Sequence, residues 1–408
     1  MSLLAKFVLL EMCAYIATYS PGHFRREIDE AQQKFGLQCL KTIASSKNSC
    51  SNLLISPSSI SSALAMVVVG ARGETLDELV SALQLPDMSV VNITRGFRGV
   101  RRSIEKRIRS RATRVSMADR MFLAYDVSLG FRQSTWFHRF FQLEPTRLDF
   151  SHATGAAHVI NGEVARLTRG QIQEIVSSDS LDSQTKMVLI SVIYLKAKWK
   201  YNFHPLLTSD ERFSTPEGVK QVPMMHTEDR FRHGRFDRLN SRILLLPYVD
   251  SALNMLIVLP DDSVSTDKVI DLLTDVRVKD LLTAVKRSDQ LEVHLPRFTL
   301  KLTYQMKDTL RKMGINRVFD QETADLGFSS DEHLAIDSFQ HSAVMTVDEE
   351  GTTASAATGV VMTPRMGYRT KPFIVNRPFL LMLVDERRGT LLFVGRVNDP
   401  TRTESCGQ

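Results

Sequence analysis

The stretch KMVLISVIYLKAKW, residues 186–199, is rich in β-branched residues and long enough to form a central β-strand. Two further apolar runs, SRILLLPYVD and ALNMLIVLP, are separated only around residues 249–251 and predict a hairpin. Near the C-terminus, PFLLMLVDERRGTLLFVGRV predicts two strands joined by a turn at Arg388-Gly389. Strands therefore dominate the second half of the chain.

Helical patterns lie between and before these strands. SPSSISSALAMVVVGA, from Ser56, begins with serines and a proline and continues as an apolar run, which predicts a buried helix. TYQMKDTLRKMG predicts another helix, ended by Gly314. No linker, repeat or low-complexity tract divides these elements, so the sequence predicts one α+β domain.

Composition narrows the class of protein. The 408 residues are 43% hydrophobic and 24% charged, which is typical of a globular chain. No run of eighteen apolar residues occurs, so no transmembrane segment is expected. Signatures of hydrolases, zinc proteases, P-loops and dinucleotide-binding folds are missing, and no serine, histidine and aspartate stand in a catalytic order. An enzyme therefore remains possible, but no residue stands out as its nucleophile, and no cofactor is expected.

The first twenty residues, MSLLAKFVLLEMCAYIATYS, place a lysine before an apolar run and end in small residues, as a secretory signal peptide does. Glu11 interrupts that run, so an N-terminal helix is the alternative. Secretion would agree with Asn92-Ile93-Thr94, the one N-glycosylation sequon, and with an extracellular glycoprotein. The cysteines lack zinc-ligand spacing, so no metal is expected; Cys39 with Cys50 is the candidate internal disulfide.

Positive charge is concentrated in one window, residues 95–114, which has nine basic residues and one acid, Glu105. Phe97, Val100 and Ile104 recur there at helical spacing, so the window predicts an amphipathic helix with a cationic outer face. Such a face suits a polyanion, with plain surface charge as the alternative. DNA would satisfy the same electrostatics, but no recognition motif supports it. The proposed polyanion-binding residues are Arg98, Arg101, Arg102, Lys106, Arg107, Arg109, Arg111 and Arg114.

A second unusual stretch has no charged residue at all: GTTASAATGVVMTP, residues 351–364. It follows two carboxylates and is followed by Arg365. If the stretch forms a β-strand, its alternate residues make two faces of small, apolar or hydroxylated side chains. Neither face would bury a charge inside a sheet. Its polar ends, however, favour exposure. The segment is thus typical of a loop in one state and a strand in another; a flexible Ala/Thr linker is the simpler alternative.

The surrounding residues settle that choice, because in them the chain resembles the serpin family. Six motifs in the family's order carry the resemblance, over nearly the whole chain after about residue 30. They are NLLISPSSISSALAMVVVGARGETLDEL, TKMVLISVIYLKAKW, ILLLPYVDSALNMLIVLP, LPRFTLKLTYQMKDTLRKMGINRVF, HSAVMTVDEEGTTASAAT and NRPFLLMLVDERRGTLLFVGRVNDP. The resemblance implies a single α+β serpin domain over residues 21–408, with three β-sheets, eight or nine helices and an exposed reactive-centre loop at about residues 349–371.

The resemblance further implies a suicide-substrate inhibitor of serine proteases that is normally monomeric and is not an enzyme. The protease cleaves the reactive-centre loop, and the freed loop inserts into the large sheet before the acyl-enzyme is hydrolysed. The hinge that must insert comprises Glu349, Glu350, Gly351, Thr352, Ala354, Ser355, Ala356, Ala357 and Thr358. A non-inhibitory serpin, acting as a carrier, binding protein or chaperone, is the alternative function.

Family spacing places the cleaved bond fourteen residues beyond Gly351, between Arg365 and Met366, with Pro364 in the preceding subsite. Arginine implies a trypsin-like target, and the Pro-Arg pair resembles what thrombin-like clotting or defence-cascade proteases accept. Arg369 is a competing cleavage site. The specificity residue is therefore antithrombin-like.

Two other regions carry over from the family. Ser56, Ser59, Ser191 and His341 match its shutter, where the sheet opens, and Trp199 matches the point of loop entry; ordinary core packing is the alternative for His341 and Trp199. Ser191 stands where asparagine is usual, Glu163 replaces a tryptophan and Ala197 replaces a glycine, so the stability of the active form is in doubt. The basic window falls where heparin-activated, antithrombin-like members bind glycosaminoglycan, which implies heparin or a related polyanion as activator.

Overall fold

Two β-sheets dominate the protein in a computed structural model that describes residues 21–48, 50–107, 113–249, 252–328, 334–351 and 371–403. The strands in these ranges are β1 Leu53–Ile55, β2 Thr113–Ala124, β3 Thr146–Leu148, β4 Met187–Ala197, β5 Ser209–Thr215, β6 Gly218–Phe236, β7 Ser241–Pro247, β8 Leu253–Pro260, β9 Arg287–Pro296, β10 Phe298–Gln305, β11 Ser338–Val347, β12 Lys371–Ile374, β13 Phe379–Asp385 and β14 Thr390–Val397. Five of them form the smaller sheet, in the order β10-β11-β4-β2-β3. The other nine form the larger sheet, in the order β1-β14-β13-β8-β7-β6-β9-β12, with β5 paired to β6.

Nine α-helices occur in the described residues and complete the predicted α+β class, within the predicted eight or nine. They are α1 Pro21–Ser46, α2 Pro57–Val68, α3 Gly73–Ala82, α4 Val90–Arg107, α5 Phe131–Trp136, α6 Ala153–Thr168, α7 Thr266–Leu273, α8 Val278–Ala284 and α9 Lys307–Lys312.

The described strands make two hydrogen-bonded sheets instead of the three predicted. The reason is β6, whose 19 residues pair with β5, β9 and β7 along its length. Its middle pairs with β9, and its last five residues pair with β7. A continuous strand therefore joins what would otherwise be two separate sheets.

The strand predicted around residues 186–199 is central, as expected. β4 lies between β2 and β11, and every residue of it except Lys196 is buried. The predicted hairpins are also present, since β7 pairs with β8 and β13 pairs with β14, both antiparallel. Because β13 and β14 are buried throughout, the C-terminal strands lie inside the core.

The predicted buried helix is α2, and all twelve of its residues are buried. Ser56 caps its N-terminus by accepting a hydrogen bond from the backbone N–H of Ser59, and Pro57 occupies the first turn, where its missing N–H costs nothing. The cap fixes the serines of this turn beneath the smaller sheet.

Helix α4 confirms the predicted amphipathic pattern, because Phe97, Val100 and Ile104 are buried. It packs on α1, and Gly96 permits the approach: a Cβ there would lie 2.4 Å from a side-chain carbon of Ile28. Apolar packing thus holds one face of α4 against the body of the protein and leaves the basic residues on the other.

The predicted Cys39–Cys50 disulfide is wrong, since both thiols are free. Cys39 is fully buried, and burial raises the pKa of its thiol to about 12. The reactive thiolate is therefore scarce at neutral pH, which disfavours disulfide formation. The proposed signal peptide, residues 1–20, lies outside the described residues, and no described helix is long and apolar enough to span a bilayer.

Candidate functional site

The pairing of β4 with β11 is the mechanically important feature of the smaller sheet. These two strands run parallel and are hydrogen-bonded directly, from Ser338 opposite Val188 to Met345 opposite Leu195. Midway along the pairing, Ser191 lies opposite His341. Any strand entering between β4 and β11 must separate these two residues.

His341 is fully buried and holds three polar contacts. Its Nε2 accepts a hydrogen bond from the backbone N–H of Ser56, at 3.1 Å, so the ring proton lies on Nδ1. Nδ1 lies 3.2 Å from the backbone oxygen of Ser191 and 3.1 Å from its Oγ. Burial lowers the pKa of His341 to about 3, so the ring is neutral under ordinary conditions. It therefore acts as a neutral bridge between α2 and the two strands.

From Ser191 the hydrogen bonds continue through Ser59 to the carboxylate of Asp119. Ser191 Oγ lies 2.8 Å from Ser59 Oγ, and Ser59 Oγ donates to Asp119 Oδ1 at 3.0 Å. Asp119, on β2, is 2% exposed, and burial raises its pKa despite the opposing charge of Arg101. The predicted shutter residues are thus brought together, and Asp119 is an additional member that the sequence did not reveal.

Ser191, which stands where the resemblance predicts asparagine, does not leave this network broken. Its hydroxyl reaches both His341 and Ser59, and Asp119 supplies the terminal acceptor. Every hydroxyl in the chain of bonds consequently has a partner, as a buried polar network requires.

Trp199 lies just beyond the C-terminal end of β4, where the parallel pairing of β4 with β11 ends. Its ring is buried and stacks on Tyr248, with centroids 4.4 Å apart and planes 14° from parallel. Its Nε1 donates to the backbone oxygen of Asp348 at 3.0 Å, and its backbone N–H donates to the oxygen of Glu350 at 2.9 Å. Trp199 therefore anchors the chain where it leaves β11.

The first three hinge residues lie within the described residues. The carboxylate of Glu349 accepts from Thr208 Oγ1 at 2.8 Å, and that of Glu350 lies 4.0 Å from Lys198 Nζ. Gly351 forms an antiparallel bridge with Lys198. Its φ is +144°, and a Cβ there would lie 2.1 Å from the backbone oxygen of Ala197, so only glycine fits this approach.

The rest of the predicted loop lies outside the described residues. This applies to the remaining hinge, the reactive bond, its neighbouring subsite and the competing cleavage site: Thr352, Ala354, Ser355, Ala356, Ala357, Thr358, Pro364, Arg365, Met366 and Arg369. The chain is described again from Lys371, where β12 pairs in parallel with β9.

The predicted basic residues divide into three groups. Arg98, Arg101, Arg102 and Lys106 are described on α4; Arg107 and Arg114 are described in their backbone only; Arg109 and Arg111 lie outside the described residues. The side chains of Arg102 and Lys106 are at the surface. The described part of the cationic face therefore belongs to the middle and end of α4.

Arg98 shows that positive charge is crowded here. Burial lowers its pKa first, and the like charges of Arg102 and Arg139 lower it further. Arg139 follows α5 and lies outside the basic window of the sequence, so only the fold brings it to this surface. Among the described residues, Nε of Arg98 has no hydrogen-bond partner. An anion placed here would relieve the repulsion and supply an acceptor.

Arg101 differs from its neighbours, because its guanidinium faces acids of the protein itself. Nε lies 3.1 Å from Glu105 Oε1, and a terminal nitrogen lies 3.9 Å from Asp119 Oδ2. The side chain is 26% exposed. Through Asp119, the basic helix is thus connected to the serines and the histidine between β4 and β11.

Two further predicted residues are placed by the structure. Asn92 is half-buried in the first turn of α4, and Thr94 of the same sequon is buried and donates to the backbone oxygens of Val90 and Val91. Glu163, which replaces a usual tryptophan, accepts from Arg120 at 3.0 Å and so joins α6 to β2.

Comparison with known proteins places these features in context. A family model described as "Serpin (serine protease inhibitor)" matches residues 30–400. Human Serpin B8 is 33% identical over 379 residues, covering 92% of this chain and 100% of that protein; bovine leukocyte elastase inhibitor is 33% identical over 384 residues, with the same coverage. Among solved structures, the Manduca sexta serine protease inhibitor serpin-12 superposes with a TM-score of 0.80 at 28% identity, covering 92% of this chain and 99% of its own. Human thyroxine-binding globulin does so with a TM-score of 0.84 at 26% identity, covering 93% and 100%.

Proposed function

The chain belongs to the serpin family, and from this we propose that it is a suicide-substrate inhibitor of trypsin-like, arginine-specific serine proteases. As a serpin it is a serine protease inhibitor by family and not an enzyme. The observation that carries the proposal is the direct parallel pairing of β4 with β11, next to a small, uncharged segment that begins at Gly351, four residues after the end of β11.

A strand that turns back from the end of β11 must run antiparallel to both neighbours. Insertion would therefore replace one parallel pairing by two antiparallel ones, which add hydrogen bonds and are somewhat more stable per residue. In the structure β4 and β11 pair directly with each other, so no strand lies between them and one can still be added. This gain is the free energy that would drive insertion after cleavage.

The bridge between Lys198 and Gly351 suggests the register of the inserted strand. In an antiparallel ladder each step forward on one strand is a step back on the other. Seven residues beyond Gly351 is Thr358, and seven residues before Lys198 is Ser191. Thr358 would thus enter between Ser191 and His341, bringing a hydroxyl to the network that insertion must open.

The length of the inserted segment favours Arg365 as the specificity residue. The ten residue steps of β4 span about 33 Å, and the fourteen steps from Gly351 to Arg365 span about 46 Å when extended. The inserted loop would run the whole length of β4 and carry the acylated residue past its far end. Cleavage after Arg369 would add about 13 Å with no further strand to pair with.

The proposal extends to a polyanion activator and to the extracellular space. Arg98, Arg102, Arg139 and Lys106 offer a crowded cationic surface to sulfates such as those of heparin. The bonds from Arg101 through Asp119 to Ser59 would couple that surface to the β4–β11 pairing. Secretion, as a monomeric glycoprotein modified at Asn92, completes the proposal.

The proposed function is tested by incubating the protein with trypsin and with thrombin, with and without heparin, followed by a denaturing gel and mass spectrometry. We expect a complex that survives denaturation and a new C-terminus at Arg365. R365A should abolish the complex with both proteases, and R369A is the matched control that should leave it intact. A complex that survives in R365A and disappears in R369A would refute the assigned bond.

A non-inhibitory role is the second candidate, because the similar thyroxine-binding globulin was solved in complex with thyroxine. Complete cleavage after Arg365 without any stable complex would favour this carrier or binding role, since the loop would then be accessible but too slow to insert.

A further inference from the structure

We propose that Glu211, His226 and His294 form a binding site for a divalent transition-metal cation, with Zn²⁺ the best fit. The three residues come from the adjacent strands β5, β6 and β9. Their ligand atoms all lie within 4.8 Å of one another, and among the residues that the structure describes no other group of three histidine, cysteine or acidic ligands does so.

The separations suit one small cation. Glu211 Oε1 lies 2.5 Å from His226 Nε2, Glu211 Oε2 lies 3.6 Å from His294 Nδ1, and the imidazole centroids are 4.0 Å apart. Ligands about 2.0–2.1 Å from a tetrahedral Zn²⁺ are separated by about 3.4 Å. Side-chain adjustments of about 1 Å or less would therefore complete a three-ligand site, in which the metal replaces the proton shared by Glu211 and His226.

His294 is oriented for this role by a second carboxylate. Its Nε2 lies 3.1 Å from Glu292 Oε1, so the proton belongs on Nε2 and the lone pair on Nδ1. Nδ1 is buried and has no hydrogen-bond partner within the described chain. A carboxylate that holds the far nitrogen of a histidine is the usual outer contact of a zinc ligand. Metal binding would satisfy the one polar atom that the protein leaves unpaired here.

Burial and charge favour a metal over a simple ion pair. The side chains of His226 and His294 are 18% and 13% exposed, and Glu211 is 31% exposed. The carboxylates of Glu211 and Glu292 face the two imidazoles in this half-buried cluster, and a divalent cation would balance their negative charge. Nitrogen ligands select zinc, copper or nickel over magnesium or calcium, and three protein ligands leave a fourth position for water.

The sequence predicts no metal because its cysteines lack zinc-ligand spacing and have no histidines beside them. Here 83 positions separate Glu211 from His294, and only the pairing of β5, β6 and β9 brings them together. On β6, His226 lies directly opposite His294 in the register. The site is independent of the proposed inhibitory function, since it lies in the larger sheet.

The site is tested by titrating the EDTA-treated, full-length protein with ZnCl₂ at pH 7.4 by isothermal titration calorimetry. We expect one equivalent to bind with a micromolar or lower dissociation constant, and MgCl₂ to give no heat. H294Q and E211Q should each weaken binding at least 30-fold, and E292Q, outside the ligand set, about 10-fold. H233Q is the matched control. His233 lies on β6, as His226 does, and pairs with Asp289 on β9 at 3.1 Å, but no third ligand among the described residues lies beside this pair.

A second measurement covers variants that fail to fold. CoCl₂ added to the unmodified protein should give the intense visible absorption of a tetrahedral site, which one equivalent of ZnCl₂ removes. Binding well below one equivalent, an octahedral cobalt spectrum, or equal affinity in H233Q and a folded H294Q would overturn the proposal and leave only a histidine–carboxylate ion pair.

Discussion

A charge placed at Thr358 should convert the inhibitor into a substrate. If the Lys198–Gly351 bridge sets the register, residue 358 enters between Ser191 and His341, facing α2. In T358E a carboxylate would have to be buried there for the loop to insert. The loop itself should still be cleaved, because the substitution is seven residues from the reactive bond.

The cost follows from the surroundings. Ser59, Ser191 and His341 are all 0% exposed, His341 is neutral, and Asp119 already places a carboxylate in the network. A new glutamate must therefore stay ionised without a partner or take up a proton, which at pH 7.5 costs about 4 kcal/mol. If half of this cost is felt in the insertion barrier, about 2 kcal/mol, insertion slows about 30-fold.

The assay is the stoichiometry of inhibition, measured by titrating active trypsin with T358E and resolving complex from cleaved protein on a denaturing gel. We expect the stoichiometry to rise from near one to several, with cleaved protein as the main product. T353E is the matched control, because the same register places residue 353 opposite Lys196, the one exposed residue of β4. Equal stoichiometries for the two variants would refute the register and the face assignment together.

Three further predictions follow from other contacts. Heparin should accelerate inhibition, R102E/K106E should remove most of the acceleration, and 0.5 M NaCl should do the same; a salt-insensitive rate would argue against the cationic face. Burial raises the pKa of Asp29 from 3.8 to about 6, so its ionised form destabilises the fold. The wild type should therefore lose stability as pH rises from about 4 to 6. D29N should be more stable than the wild type in urea at pH 7.5, by at most ~3 kcal/mol, and equal to it at pH 4. G351A should lower the melting temperature by several degrees, since its Cβ meets the Ala197 oxygen; an unchanged melting temperature would mean that the bridge is not made.

The elements that depend on local pattern were predictable from the sequence. β4, the two hairpins and the amphipathic α4 each lie in a short continuous stretch whose own hydrophobic periodicity predicts the element. The number of sheets was not, because it depends on β6 remaining continuous for 19 residues while pairing with different strands at its two ends. No local pattern encodes which partners a strand finds.

The candidate site divides in the same way. The serines, His341 and Trp199 were found through motifs, because each lies in a run that resembles the family. Asp119 was missed because it is a single acid in an otherwise ordinary strand, and its meaning comes from Ser59, 60 positions away. Arg139 and the Glu211 cluster were missed for the same reason: their partners are neighbours in space and not in sequence.

The burial of β13 and β14 determines what becomes of the protein after its chain is cut. If the cut falls at the proposed Arg365–Met366 bond, everything from Met366 onward becomes covalently separate, yet β13 lies between β8 and β14 in the larger sheet, with every residue buried. The short fragment cannot diffuse away without unfolding the core. Cleavage that does not trap the protease should therefore leave a single particle of undiminished mass in gel filtration, and only a denaturant would separate its two polypeptides.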